Sequence, residues 1–518
     1  MYIHSENYRA LSIFARKSKN DVGILTINDK DYSFRSEKGE HLTISIEPNK
    51  IYKLTYDYLE IKFVYLHDKQ ETPEIKILYP SSKALQYRYH FSPPCGWLND
   101  PNGLSFFKGW YHMFYQFNPM DACWGNAHWG HARSKDLVHW EHLPVVLYPQ
   151  DELGYLSDYR GGAYSGTAYI EDDTMNLFFT RHIGDNERTW CMEIPKTSKS
   201  KDGISFCQEK TCFNILPVEL SSDFRDPKVM KYDNGYIMLT GTRLINSQEP
   251  AVSVHFSTDM ENWEYKGIFY KESDKKYLQA ECPDLISDGT YHFLIVGYHN
   301  RNSETLEKRR DVNCYVGHVN DFRFISEKRF LADYGKDFYA SQSIAGINEN
   351  IIIGWINDMT SSFINKPGTV NGAMALPRKL SYENGKLKFY PIKEVLKLFS
   401  PTLPTALKYS TNGSYFFSIF GKATVQLAES EKGKVTIKIA DDNKCIITIF
   451  NETYSFTFIE QPIVDIFFDI EVFEIYVNKG EKCFTRRFCM NLPDFTVRIL
   501  DGDSEKVSIR QLVEDARE

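Results

Sequence analysis

The chain lacks the features that would direct it to a membrane, to nucleic acid or to a disulfide-bonded exterior. Met1 to Asn20 mixes His, Glu, Arg and Lys with short apolar runs and contains no continuous hydrophobic stretch of a signal peptide. No segment reaches the length of a bilayer span. No large basic block occurs, and a net charge of −8 argues against nucleic acid or an anionic membrane as partner. The ten cysteines are scattered without paired metal-ligand spacing. That pattern fits reduced thiols in a cytoplasmic protein better than a disulfide framework. Between residues 85 and 390 there are no long amphipathic helices, which excludes an alternating strand–helix, parallel-sheet design.

What the chain has is length and aromatics. Its 518 residues exceed one small core, and two or three domains are expected. Aromatic residues make up 15%, with 33 Tyr and 35 Phe, a composition of strands and of surfaces on which sugar rings stack. Residues 1–84 read as a small β module, with period-2 patterning in His41 to Ile46 and Glu60 to Tyr65 and no chemistry of its own. From Leu85 onward apolar segments beginning near Leu104, Ala168, Val229, Leu285 and Ile344 recur about 60 residues apart. Each runs through a turn into a second strand. Ser134-Lys135-Asp136, Ser200-Lys201-Asp202 and Ser257-Thr258-Asp259 echo one another as local turns between outer strands. About four strands per repeat and five repeats predict a five-bladed β-propeller over 85–390. Pro391 to Leu398 reads as a linker of one or two helical turns. Alternation then returns, as in Lys434 to Ile439 and Asp465 to Ile470, and predicts a β-sandwich over 391–518, closed by a brief polar helix from Arg510. The fold class is thus all-β.

Three acidic corners carry the chemistry: Asn99-Asp100-Pro101-Asn102-Gly103, Arg225-Asp226-Pro227 and Glu281-Cys282-Pro283-Asp284. One Asp-Pro-Asn-Gly is most often an ordinary turn. Three such corners, each just before an apolar strand, converge on a propeller's central channel. Cleaving a glycosidic bond with retention needs one ionised carboxylate as nucleophile and one protonated acid. Asp100, short and fixed by its proline, suits the nucleophile. Glu281, longer and beside Cys282, suits the proton donor. Arg225 next to Asp226 is expected to keep that carboxylate ionised, for holding hydroxyls and stabilising an oxocarbenium-like transition state. Asn99, Gln116, Trp124, Tyr164, Ser165, Arg225 and Trp355 supply the amides, hydroxyls and aromatic faces that a polyhydroxylated ring requires. His128 and His131, spaced three apart in a strand, point to opposite faces, and no metal is expected. Cys282 has no local His partner and is assigned to packing.

At these residues a family resemblance emerges. Trp97 to Gly103, Phe224 to Pro227 and Glu281 to Asp284 resemble the three signature motifs of glycoside hydrolase family 32, the invertase, inulinase and levanase group. Gln116 to Pro119, His128 to Ala132, Tyr164 to Gly166 and Asp337 to Gln342 follow in the family's order. The resemblance implies a propeller plus sandwich and a β-fructofuranosidase that releases terminal β-fructofuranosyl units from sucrose, sucrose 6-phosphate or short fructo-oligosaccharides. It gives Asp100, Asp226 and Glu281 the roles above, implies no cofactor and leaves a homo-oligomer open. A fructosyltransferase using the same residues, or a catalytically silent sugar-binding propeller, are the alternatives. Two departures stand out. Ala280 replaces a common aromatic, which would open the leaving-group side, and residues 1–84 lack a counterpart in most members.

Overall fold

The computed structural model describes residues 1–18, 21–69, 73–80, 87–155, 158–187, 189–300, 310–357, 370–400, 409–410, 413–430, 433–450, 452–487, 494–495, 497–502 and 504–513. Nearly all regular structure is antiparallel β, and the helices described are the single turns Glu152–Tyr155 and Lys393–Lys397 and the 3-10 turn Ser504–Lys506.

The N-terminal strands form two four-stranded sheets, one built on Gly23–Ile27 and Ile51–Asp57, the other on Ala10–Lys17 and Leu59–His67. Alternation assigns their two faces. Leu11, Ile13, Val64 and Leu66 meet Leu25 and Leu54 in a core between the sheets. Phe14, Phe63 and Tyr65 point the other way, into a larger core shared with Phe117, Met120 and Val145. The module therefore packs on the following sheets through the back of its second sheet. The period-2 patterning of Glu60 to Tyr65 runs into a stretch buried on both faces from Phe63 onward, with Phe63 and Tyr65 on one side and Val64 on the other.

Residues 97–391 make five further sheets, four of them meanders in which successive strands pair and the fifth the same but for the short strand Ala373–Met374, which pairs only with its second strand. Their first strands are Trp97–Phe107, Tyr159–Glu171, Arg225–Tyr232, Tyr277–Ser287 and Phe338–Ser343. Each first strand packs against the next, and the fifth returns to the first. The Ser-x-Asp segments are the turns expected. Asp136, Asp202 and Asp259 each accept hydrogen bonds from the two backbone N–H groups that follow the turn, and each accepts one from its serine hydroxyl.

The C-terminal part contains two five-stranded sheets that share a core including Phe417, Val425, Ile437, Ile447, Ile466 and Ile475. Arg510 and Gln511 belong to the strand Val507–Gln511, paired with Phe416 and Tyr415, and correct the expected helix there. Val507 and Ile509 point into the core, so period 2 prevails over the polar composition; residues 514–518 lie outside the described residues. Buried charges join these sheets to the preceding part. His90 contacts Asp469 and Glu474, each at 3.0 Å, and Arg378 bridges Glu474 at 2.6 Å and Asp333 at 2.8 Å.

Candidate active site

The three acidic corners are not corners but β-bulges within the five first strands. Asn99 and Asp100 together oppose the single residue Gln116. Ser165 is the extra residue of the second strand, Asp226 and Pro227 of the third, Cys282 and Pro283 of the fourth, Ala340 and Ser341 of the fifth. A proline has no N–H for the ladder, so a bulge is where a strand tolerates one. Asp226, Cys282 and Ala340 take left-handed φ values of 62°, 48° and 49°. The expected extended corner before each strand is therefore a defect inside it, at the same level of all five sheets.

The bulges turn their side chains onto one another. Asp100 Oδ2 accepts from Ser165 Oγ at 2.6 Å, and Oδ1 from Asn99 Nδ2 at 3.0 Å. The Cys282 thiol lies 3.4 Å from Asp226 Oδ2 and 3.8 Å from Asp100 Oδ2, between the two aspartates. Asp226 Oδ2 also accepts the Cys282 N–H at 2.9 Å. Cys282, assigned to packing from sequence, thus touches both carboxylates. Glu281 Oε1 accepts from Arg225 Nε at 3.3 Å and Nη2 at 3.2 Å, and Oε2 from Tyr339 OH at 2.9 Å.

Proton occupancy differs from the sequence expectation. Burial raises Asp100 to about 6, with Ser165's hydrogen bond opposing and Glu281's charge adding. Burial, then Glu281's charge, raises Asp226 to about 8. Burial also works against ionised Glu281, yet His299, Arg225 and Arg310 hold it well below the usual carboxylate range. His299 Nε2 is 2.8 Å from Glu281 Oε2, but lacks hydrogen-bond alignment, and burial draws His299 itself towards the neutral form. Arg225, with two N–H groups on Glu281, is the firmer cause. Arg225 was expected to serve Asp226. Neighbouring strand residues point to opposite sides, so its guanidinium reaches Glu281, Asp223 and Glu193 instead.

The other expected contacts divide. Gln116 donates from Nε2 to the Ala163 carbonyl at 2.9 Å, and Tyr164 stacks on His182 with centroids 4.1 Å apart. Trp124 is half-buried under the Arg160 guanidinium, 5.1 Å from its ring centre. Trp355 is 1% exposed, set edge-on to Trp97 at 5.8 Å, and its indole N–H has no partner among the described residues. Ala280 is fully buried in the core with Leu239 and Tyr298, so its small size opens no space on the leaving-group side. Asp284, the second acid of its corner, holds sheets together through Lys228 at 2.8 Å and the Ser343 hydroxyl at 3.0 Å.

Sequence reasoning missed His299, Arg310, Thr180, His182 and Glu193. Glu193 is buried and accepts from Arg225 Nη1 at 2.7 and 2.9 Å, from the Phe224 N–H at 2.5 Å, and contacts His182 Nδ1 at 2.8 Å. A signal for several of these exists. Four of the five second strands carry polar residues towards the end that holds the bulges: Gln116 and Asn118, Thr180 to His182, Thr240, Thr242 and Arg243, and His299 and Asn300. Among the described residues, His182, Cys191 and Glu193 are close enough to share a cation. Glu193's two oxygens are already committed to Arg225, and His128 and His131 are hydrogen-bonded apart, to the Asn126 carbonyl and to His112.

A carboxylate cluster on inner strands of antiparallel sheets, with a guanidinium and hydroxyl donors around it, is the equipment of a glycoside-cleaving site. The family model described as the glycosyl hydrolases family 32 N-terminal domain matches residues 90–391, more than half of the chain, and the chain belongs to that family. It is 33% identical over 318 residues to the sucrose-6-phosphate hydrolase of Escherichia coli, covering 60% of this chain and 65% of that protein. The sucrose-6-phosphate hydrolase of Zymomonas mobilis is 34% identical over 328 residues, covering 59% and 62%. The chain thus spans slightly under two thirds of these curated relatives. In fold it resembles a glycoside hydrolase family 32 structure from Bifidobacterium adolescentis, with TM-score 0.88, 23% identity and 100% of both chains covered, N-terminal sheets included. The Bombyx mori GH32 beta-fructofuranosidase superposes with TM-score 0.73 at 24% identity, over 84% of this chain and 95% of that one.

Proposed function

We propose that the protein is a retaining β-fructofuranosidase that releases terminal fructosyl units from sucrose, sucrose 6-phosphate or short fructo-oligosaccharides. The observation that carries the reading is the meeting of Asp100, Asp226 and Glu281 around one thiol and one guanidinium. Asp100, oriented by Ser165 and Asn99, attacks the anomeric carbon. Glu281 protonates the departing oxygen and then activates water for the second displacement. Asp226 holds ring hydroxyls and strengthens that hold as charge develops. Arg225 holds Glu281 ionised at rest, so Glu281 takes up a proton on substrate binding before it donates one to the leaving oxygen. Gln116, Trp124, Tyr164, Ser165, Asn99 and Arg225 are the proposed sugar contacts. Trp355 acts from behind, through Trp97. The relatives' names as hydrolases favour water over a sugar as acceptor.

The five sheets, with first strands in a closed circuit, support a five-bladed propeller, and the paired five-stranded sheets support a C-terminal β-sandwich. We place the divisions at 1–84, 85–390 and 391–518. The nine cysteines among the described residues are all free, which supports a cytoplasmic location. A homo-oligomer fits the reading equally with a monomer.

The test is kinetic. Asp100→Asn abolishes turnover of every fructoside. Glu281→Gln loses sucrose cleavage but regains fructosylation on a fructoside whose leaving group needs no proton. The first fructose released is the β-anomer; initial release of the α-anomer refutes double displacement.

A further inference from the structure

Residues 119–127, the loop between the first sheet's second and third strands, carry Trp124 and lie at the level of the bulges. Ala127 donates its N–H to the Gly161 carbonyl at 2.9 Å and accepts the Ala163 N–H at 2.9 Å. Two residues beyond Ala163 stands Ser165, on Asp100. From the catalytic side the loop is held by Asn118 Nδ2 on the Cys123 carbonyl and Asn371 Nδ2 on the Ala122 carbonyl, each at 2.8 Å.

From its other side the loop is held by the N-terminal module. Asp121 Oδ2 accepts from Arg16 Nη1 at 2.7 Å, and Asp121 Oδ1 from Lys62 Nζ at 3.4 Å. Glu60 lies between the two cations, 2.7 Å from Arg16 and 2.5 Å from Lys62, and aims both at the loop. Beneath them Gly39 adopts φ 120° with the Met120 side chain against it; a Cβ there would stand 2.5 Å from Met120 Cε. The neighbouring rim is tied in the same way. Lys38 Nζ donates to the Tyr159 carbonyl, and His41 stacks on Tyr148 at 3.9 Å. Arg160, which covers Trp124, directly follows Tyr159. The contacts of Arg16, Lys62, Gly39 and Lys38 join the module to the Trp124 loop or to the residue before Arg160, and none of them reaches a carboxylate of the site.

We infer that the N-terminal module is a positioning element of the active site: through Arg16, Lys62 and Lys38 it fixes the Trp124 loop and Arg160, and so sets affinity for the sugar beyond the reacting bond. The inference rests on the reading of Trp124 as a sugar contact. It gives residues 1–84 a role in substrate specificity rather than only in assembly. The catalytic carboxylates sit on bulged strands independent of the module, so the effect falls on KM and not on kcat.

The full-length Arg16→Met, Lys62→Met variant tests this. Two partly exposed ion pairs are lost, so KM for sucrose and kestose rises about three- to fivefold while kcat stays within a factor of about two. Amide exchange of 119–127 accelerates while that of the bulged strands does not. In a Trp124→Ala background the same substitutions add no further change in KM, because the loop's contact is already gone. An unchanged KM with normal loop protection overturns the inference, as does a KM effect additive with Trp124→Ala or a loss confined to kcat. Should the double variant fail to fold, Asp121→Asn breaks the same clasp from the loop's side and must reproduce the KM rise. If the wild-type protein releases no fructose from any fructoside, it is the proposed function that fails. Loop exchange in Asp121→Asn then decides the clasp alone, and unchanged protection overturns it.

Discussion

Asp226→Asn is expected to destroy activity and stabilise the protein. Asp226 is 4% exposed and its pKa stands at about 8 against an ordinary 3.8, through burial first and the charge of Glu281 second. Well below pH 3.8 both folded and unfolded chains keep the proton, and nothing is gained or lost. As pH rises the unfolded chain ionises freely while the folded one cannot, so stability falls with pH until the folded group ionises near 8. Each pH unit in that window costs about 1.4 kcal/mol. With the charge shared among coupled carboxylates, we expect about 2–4 kcal/mol of penalty by pH 7. Asparagine removes the ionisation and keeps a carbonyl oxygen for the Cys282 N–H, 2.9 Å away in the wild type. Urea unfolding of both proteins from about pH 4.5 to about pH 8.5 measures the difference. The variant's advantage must grow with pH and level off. A constant gap, or a variant less stable at all pH values, would refute the reasoning.

Other consequences follow from the same electrostatics. His90, lifted to about 9 against burial by Asp469 and Glu474, contributes stability that is complete below about pH 6.5 and is lost as pH rises through 9; His90→Gln should flatten that alkaline decline in unfolding curves. Tyr339→Phe removes the hydroxyl 2.9 Å from Glu281 Oε2, so Glu281 loses a donor to its ionised form and the pH limb it governs moves up by about half to one unit in kcat/KM profiles. Asp284→Ala leaves Lys228 buried without its partner at 2.8 Å and should cost about 3–5 kcal/mol in urea unfolding, whereas exchanging Asp284 and Lys228 together for apolar residues costs much less.

The repeat, the strands and the three carboxylates were legible because each is written locally: an acid, a proline within two residues, then an apolar run. The bulges were not, since a bulge exists only relative to a partner strand, and Asp100 and Gln116 become opposite through pairing that no single segment encodes. For the same reason Arg225 was matched to its neighbour Asp226, when alternation sends it across to Glu281 on the next sheet. Glu193 and His299 sit on a third and a second strand, and the polar ends of those strands do not say which carboxylate or guanidinium they meet. The burial of Ala280 and Trp355 is not legible either, because a strand buried on both faces gives no sign of which residues reach the cavity.

The bulges also explain why this scaffold can hold three carboxylates at one point. In a regular strand successive side chains alternate between the two faces of the sheet, and Glu281 reaches the cluster from such a paired position, opposite Gly297. An extra residue at the same level of all five strands rotates the chain there, so the bulge places Asp100, Ser165 and Asp226 towards the common centre. The left-handed φ of Asp226, Cys282 and Ala340 costs about 1–3 kcal/mol each, which the surrounding meanders hold in place. The Cys282 conformation directs its N–H onto Asp226, so the strained residue is also the one that orients a carboxylate. Relaxing the bulge by deleting Pro283 would restore the ladder opposite Val296 and withdraw that N–H, with loss of the site before loss of the fold.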